Sequence, residues 1–130
     1  MSDRPRVLAT SAVFIVSDVV KSLEWYCEKL GFTEPATWGE PAGFGMANRD
    51  GFDLMLSVAE KPEDVHPNGG DTFDLYIRVE DIEAEKRALS ACGVTIERGP
   101  IKTFYNMIEI DIRDPDGHRI CLAEDVAGNN

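Results

Sequence analysis

VSDVVKSLEWYCEKLGF (Val16–Phe32) and VEDIEAEKRALSACGV (Val79–Val94) are two statements of one plan. Each opens on a strand-like run, Ala12–Val16 in the first case and Phe73–Val79 in the second. Asp18 and Asp81 then stand where a helix N-cap belongs. Apolar residues follow at helical spacing: Val19, Leu23, Cys27 and Leu30 in one copy, Ile82 and Leu89 in the other. Gly31 and Gly93 supply the stops. The ends of the copies match as well. Asp50-Gly51 precedes DLMLSV and Asp116-Gly117 precedes HRICLA, and an Asp-Gly pair before an alternating run is a hairpin signal.

Each half therefore reads β-α-β-β-β. The chain is expected to be one α+β domain over 1–130, with a first module at 7–60, a linker at 61–72 rich in Pro, Gly and Asn, and a second module at 73–125. The two modules should form a curved mixed sheet with a concave cleft. A unit this short cannot bury its own sheet, so the two must share a core or pair with another chain. Its 130 residues are one domain's worth of chain.

Strand alternation divides the side chains between two faces. Ala12, Phe14 and Val16, then Leu54, Leu56 and Val58, form apolar sets expected to lie under the helices. Phe73, Leu75, Ile77 and Val79 do the same in the second half, with Ile108, Ile110, Ile112, Ile120 and Leu122. The opposite faces are mixed: Ser11, Val13, Ile15, Asp53, Met55 and Ser57; Asp74, Tyr76, Arg78, Met107, Glu109, Asp111, Arg119 and Cys121. Such a face can line a ligand cleft, or it can simply be wet.

The chain carries 13 Lys and Arg against 24 Asp and Glu, a net charge of −11. That balance argues against nucleic-acid and membrane-surface partners and favours cations. No apolar run approaches the length of a membrane span, and MSDRPRVLAT has no signal-peptide core. Cys27, Cys92 and Cys121 are odd in number and read as reduced thiols of a cytoplasmic protein. His66 and His118 complete no metal-ligand spacing.

The pattern V-S-D-x-x-K-S-L-x-W-Y-x-x-x-L-G-F at Val16–Phe32 resembles the opening of the vicinal oxygen chelate superfamily, which includes glyoxalase I, extradiol dioxygenases and the fosfomycin- and bleomycin-resistance proteins. R-D-P-D-G-H-R-I at Arg113–Ile120 is similar to its second signature. The resemblance covers nearly the whole chain and implies paired β-α-β-β-β modules, a cleft, and a homodimer. It specifies a fold and leaves the function open.

The resemblance also assigns metal-ligand positions: seven residues before each capping Asp, seven after the first Asp of D-P-D-G, and the repeat equivalent of the last. Here these are Ser11, Asp74, Cys121 and Met55. Only Asp74 is a good donor for a hard or borderline divalent ion. No metal or other cofactor is expected, and the balance tips away from an enzyme. Tyr105–Glu109 (YNMIE) resembles the metal-free, bleomycin-resistance-type branch, whose members bind a drug without altering it. The expected ligand is a small antibiotic-like molecule, cationic or aromatic. Trp38, Phe44, Phe104 and Tyr105 are the candidate stacking residues; Asp74, Tyr76, Met107, Glu109 and Cys121 complete the candidate ligand-binding set. Asp74 and Glu109 are expected to face one enclosed space and to set a preference for cations, unless Glu109 pairs internally with Arg119 or Arg78. His118 is read as a turn residue. A glyoxalase-like lyase or isomerase with an atypical metal site is the alternative.

Overall fold

Asp18 caps the first helix as its position demands: its carboxylate accepts the Lys21 backbone N–H at 3.0 Å, and Asp81 accepts that of Ala84 at 3.1 Å. Gly31 closes the first helix with φ 72°, and Gly93 follows the second with φ 76°. In the computed structural model, which describes residues 3–127, these helices are α1 (Val19–Leu30) and α2 (Ile82–Ala91). The strands are β1 (Ala12–Val16), β2 (Thr33–Trp38), β3 (Phe44–Arg49), β4 (Phe52–Val58), β5 (Leu75–Arg78), β6 (Arg98–Lys102), β7 (Met107–Arg113) and β8 (Arg119–Asp125).

The repeat predicted from the two capped segments is present in the topology. The strands form two four-stranded sheets, β1-β4-β3-β2 and β5-β8-β7-β6. In each, the strand before the helix runs parallel to the last strand of its unit, and the other pairs are antiparallel. The two Asp-Gly turns differ. Asp50 and Gly51 both have positive φ and join β3 to β4 in a two-residue hairpin. Asp116-Gly117 lies in a longer loop, closed by the Asp114 N–H to His118 carbonyl bond and the Gly117 N–H to Asp114 carbonyl bond.

One core serves both units. Phe14, Val16, Leu54 and Leu56 from the first sheet and Ile110, Ile112, Ile120 and Leu122 from the second are buried in a single cluster with Val19, Leu23, Tyr26, Leu30, Ile82 and Leu89. Burial of each large side chain is worth roughly 1.5–3 kcal/mol, so a shared core achieves what neither unit could alone. Val58, at the end of its strand, departs from the predicted inner set and is exposed. Gly45 sets how closely α1 approaches: a Cβ there would lie 2.7 Å from Val19 Cγ1 and 2.8 Å from Leu23 Cδ1.

The units are joined at the Asp114–Gly117 turn. Asp114 is buried and accepts the Tyr26 hydroxyl from α1 at 2.7 Å. Asp116 accepts both the backbone N–H and the hydroxyl of Ser17, just before α1. No helix among the described residues is long and apolar enough to cross a membrane.

Candidate functional site

The two mixed faces, equivalent in the repeat, are finished in opposite ways. Register places Val13 and Ile15 beside Met55 and Ser57, these beside Met46 and Phe44, and Phe44 beside Trp38. This face is open: Val13 is 58 % exposed, Ile15 44 % and Trp38 52 %. Trp38 and Phe44 meet with ring centroids 5.5 Å apart, so two candidate stacking residues share one spot.

On the second sheet the mixed face is closed by its own charges. Glu109 and Asp111 of β7, predicted to face a cleft, are buried. Arg98 of β6 lies opposite Asp111 and reaches both carboxylates at 3.1 Å. Arg119 holds the other Asp111 oxygen through Nε and Nη2 and stacks on Phe73, 4.9 Å from its ring centre. Tyr76 and Tyr105 both donate their hydroxyls to Glu109 Oε2. Two carboxylates against two guanidinium groups leave this network neutral, and the low local dielectric strengthens each of its bonds. Burial alone would raise the Glu109 pKa; bonds from Tyr105, Tyr76 and Arg98 outweigh it and hold the group below the ordinary value. The tyrosine hydroxyls are pushed up, Tyr76 first by burial and Tyr105 first by its bond to Glu109.

This differs from the expectation that Glu109 is a free cleft carboxylate. Glu109 pairs internally, with Arg98 in place of the Arg119 or Arg78 anticipated. Asp74 is also engaged: Oδ1 accepts the Asn68 N–H and Oδ2 the Arg119 N–H, each at 2.7 Å. Asp74 and Glu109 therefore do not line one common space. Asp74 borders a cavity at the seam between the units, while Glu109 lies beneath Tyr76 and Tyr105.

Those two rings, with Met107, Arg78 and Asp125, line a shallow groove of about 490 Å³. Three predicted residues, Tyr76, Tyr105 and Met107, are thus brought together. Arg78 and Asp125 form its polar rim, 3.7 Å apart, and Asp125 was not anticipated. Phe104 sits at the β6–β7 tip, 95 % exposed and edge-on to Tyr105 at 5.0 Å. Cys121 is buried under the network, its thiol pKa pushed up by burial and then by Glu109 and Asp111. Arg98 escaped sequence reading because RGPIK carries Gly and Pro and gives no strand alternation.

The four family metal positions do not suit a divalent ion. Ser11 is exposed, the Met55 thioether is soft, both Asp74 oxygens already bond backbone N–H groups, and Cys121 is a buried thiol held protonated. Among the described residues no three His, Cys, Asp or Glu side chains converge on a metal-sized space.

His118 is more than a turn residue. Its ring stacks on Phe14, centroids 4.5 Å apart and planes 6° from parallel, and Nδ1 lies 2.8 Å from Asp114 Oδ2. Burial would lower its pKa, but Asp114, with Asp74 and Asp116 further off, raises it.

Similar folds are numerous among solved structures. TnmS3, an antibiotic binding protein from Streptomyces sp. CB03234, is 25% identical with a TM-score of 0.73, covering 94% of this chain and 98% of that one. A member of the glyoxalase/bleomycin resistance protein/dioxygenase superfamily from Sphaerobacter thermophilus DSM 20745 is 26% identical, TM-score 0.73, over 92% and 98%. TioX from Micromonospora sp. ML1, at 17% identity, TM-score 0.73 and 90% and 98% coverage, shares the fold. No curated protein matches the sequence. The family model for the Glyoxalase/Bleomycin resistance protein/Dioxygenase superfamily matches residues 9–122. That span holds both signature segments and all of the paired βαβββ units but the end of β8, and the chain belongs to the glyoxalase/bleomycin resistance protein/dioxygenase superfamily.

Proposed function

We propose that this protein binds a small aromatic molecule and releases it chemically unchanged, acting as a cytoplasmic homodimer. The observation that carries the reading is the Tyr76–Tyr105 groove. Both hydroxyls are tied to Glu109, so the rings are held as fixed apolar walls, and a rigid wall loses little entropy on binding. The reactive groups nearby are already engaged: Glu109 is neutralised by Arg98, and Cys121 is buried and protonated. The carboxylate on the groove rim, Asp125, is paired with Arg78, so the described residues lining the groove can orient a ligand but offer no free base or nucleophile to attack one. The likeness to TnmS3, an antibiotic binding protein, supports the same reading. So do the three unpaired cysteines, which suit a reducing compartment. The dimer reading is supported by the β2–β3 side of the first sheet, away from β1, where Trp38 stands exposed beside Phe44 and Met46. A second copy would cover it.

Titration with one neutral and one cationic acridine dye, followed by dye fluorescence and by chromatography of the recovered dye, tests the function. Saturable binding of intact dye is expected. Tyr76→Ala should weaken it by about tenfold, ~1.4 kcal/mol for one lost aromatic wall. A dye recovered chemically altered in proportion to protein would overturn the non-catalytic reading. Sedimentation at micromolar concentration should give twice the chain mass of 14.4 kDa.

A further inference from the structure

We infer that the seam between the two units holds a second binding pocket, separate from the tyrosine groove, in which His118 Nε2 and Asp64 receive a small protonated amine on an apolar body. The cavity measures about 300 Å³ and shares no lining residue with the groove. Val13, Phe14 and Ile15 form its apolar wall, and Asp64, His66, Asn68, Asp74 and His118 its polar side.

The ring of His118 is fixed three ways. It stacks on Phe14, its Nδ1 is bonded to Asp114, and its own backbone N–H is bonded to Asp114 Oδ1 at 2.8 Å. Asp114 is itself tied down by the Tyr26 hydroxyl and the Asp116 N–H. His118 is only 4 % exposed, yet Nε2 has no partner among the described residues. No fully occluded side-chain nitrogen or oxygen there lacks one. With its Nδ1 side taken by Asp114, the ring has Nε2 as the edge left for the cavity that His118 lines. With Asp114 accepting at Nδ1–H, neutral His118 presents a lone pair at Nε2.

Charge decides what that lone pair receives. Asp74 and half-buried Asp64 face the cavity, and Asp114 and Asp116 lie behind His118. Among the described residues, the basic groups lining it are the two imidazoles. The Asp74 oxygens are bonded to backbone, which leaves Asp64 as the carboxylate able to meet a cation directly. An anion would be repelled by the Asp64 and Asp74 carboxylates, whereas an ammonium finds an acceptor, a carboxylate and an apolar wall. The preference for cations expected from composition thus belongs at this seam rather than at Glu109, and it stands whether or not the groove takes an aromatic ligand.

The test is an NMR titration of the full chain at pH 8 with three probes of one shape: benzylamine, benzyl alcohol and benzoate. Benzylamine should shift the Val13 and Ile15 methyl signals and the His118 ring signals together, with benzyl alcohol weaker and benzoate silent. His118→Phe keeps the stack and removes Nε2, and should weaken benzylamine by about fivefold, ~1 kcal/mol for one hydrogen bond. Because that variant also loses the bond to Asp114, two further variants decide the matter if it does not fold. Asp64→Asn should lower affinity for benzylamine but not for benzyl alcohol. Ile15→Trp, at a position 44 % exposed, should fill the pocket and abolish both. Benzoate binding as well as benzylamine, or benzylamine shifts confined to residues outside the seam, would overturn the proposal.

Discussion

Replacing Glu109 by Gln removes one charge and almost no volume from the buried network. Arg98, 33 % exposed, keeps Asp111 as a partner, but the network passes from neutral to one net positive charge. Removing one member of a buried pair costs about 3–5 kcal/mol, and the access of Arg98 to water relieves part of that. The amide oxygen must face the Arg98 guanidinium, so the NH2 group takes the place of Oε2 and both tyrosine hydroxyls must turn to accept from it. A loss of about 2–4 kcal/mol results. For a domain of this size that lowers Tm by roughly 10 °C, measurable by calorimetry at pH 7. The acid limb should change too. A group held below its unfolded pKa stabilises the fold above that pKa, and the contribution is lost as pH falls through the folded value. The wild type should therefore lose its advantage over Glu109→Gln on acidification through the carboxylate range. Affinities of the groove for neutral and cationic dyes should fall together, because both tyrosine walls loosen. A Tm within about 1 °C of wild type, with affinity lost for the cationic dye alone, would refute the reasoning: Glu109 would then be a free cleft carboxylate.

Tyr26→Phe deletes the hydroxyl that joins α1 to Asp114 and should cost about 1.5–3 kcal/mol, read from urea midpoints. The His118 pKa is raised, so its pairing with Asp114 stabilises most below the unfolded value near 6.5 and fades as pH rises through the folded one; the Tm gap between wild type and His118→Gln should be wider at pH 6 than at pH 9. Gly45→Ala forces a methyl against Val19 and Leu23 and should destabilise by about 1–3 kcal/mol in thermal melts, with the helix content of the folded state unchanged.

Local signals were enough to read the repeat. Asp18 and Asp81 cap because a short side-chain oxygen satisfies backbone donors within three residues, and Asp50-Gly51 turns because both residues take positive φ. Alternation alone assigned Leu54, Leu56, Ile110, Ile112, Ile120 and Leu122 to one buried face, since side-chain direction in a strand has a period of two. It also put Glu109, Asp111, Arg119 and Tyr76 on the opposite face of the sheet. What alternation could not say is whether that face is open. Closure depends on Arg98 arriving opposite Asp111 on a neighbouring strand, and on a turn that returns Tyr105 over Glu109. The same holds for His118. Its place after D-P-D-G is local, but its partner Phe14 is 104 positions away in sequence, and only the packing of one unit on the other stacks the two rings. Backbone propensity and side-chain period act over a few residues and are written in the order of the chain. Whether a charge is neutralised or left facing a cavity depends on partners distant in that order, and so tertiary structure alone decided it.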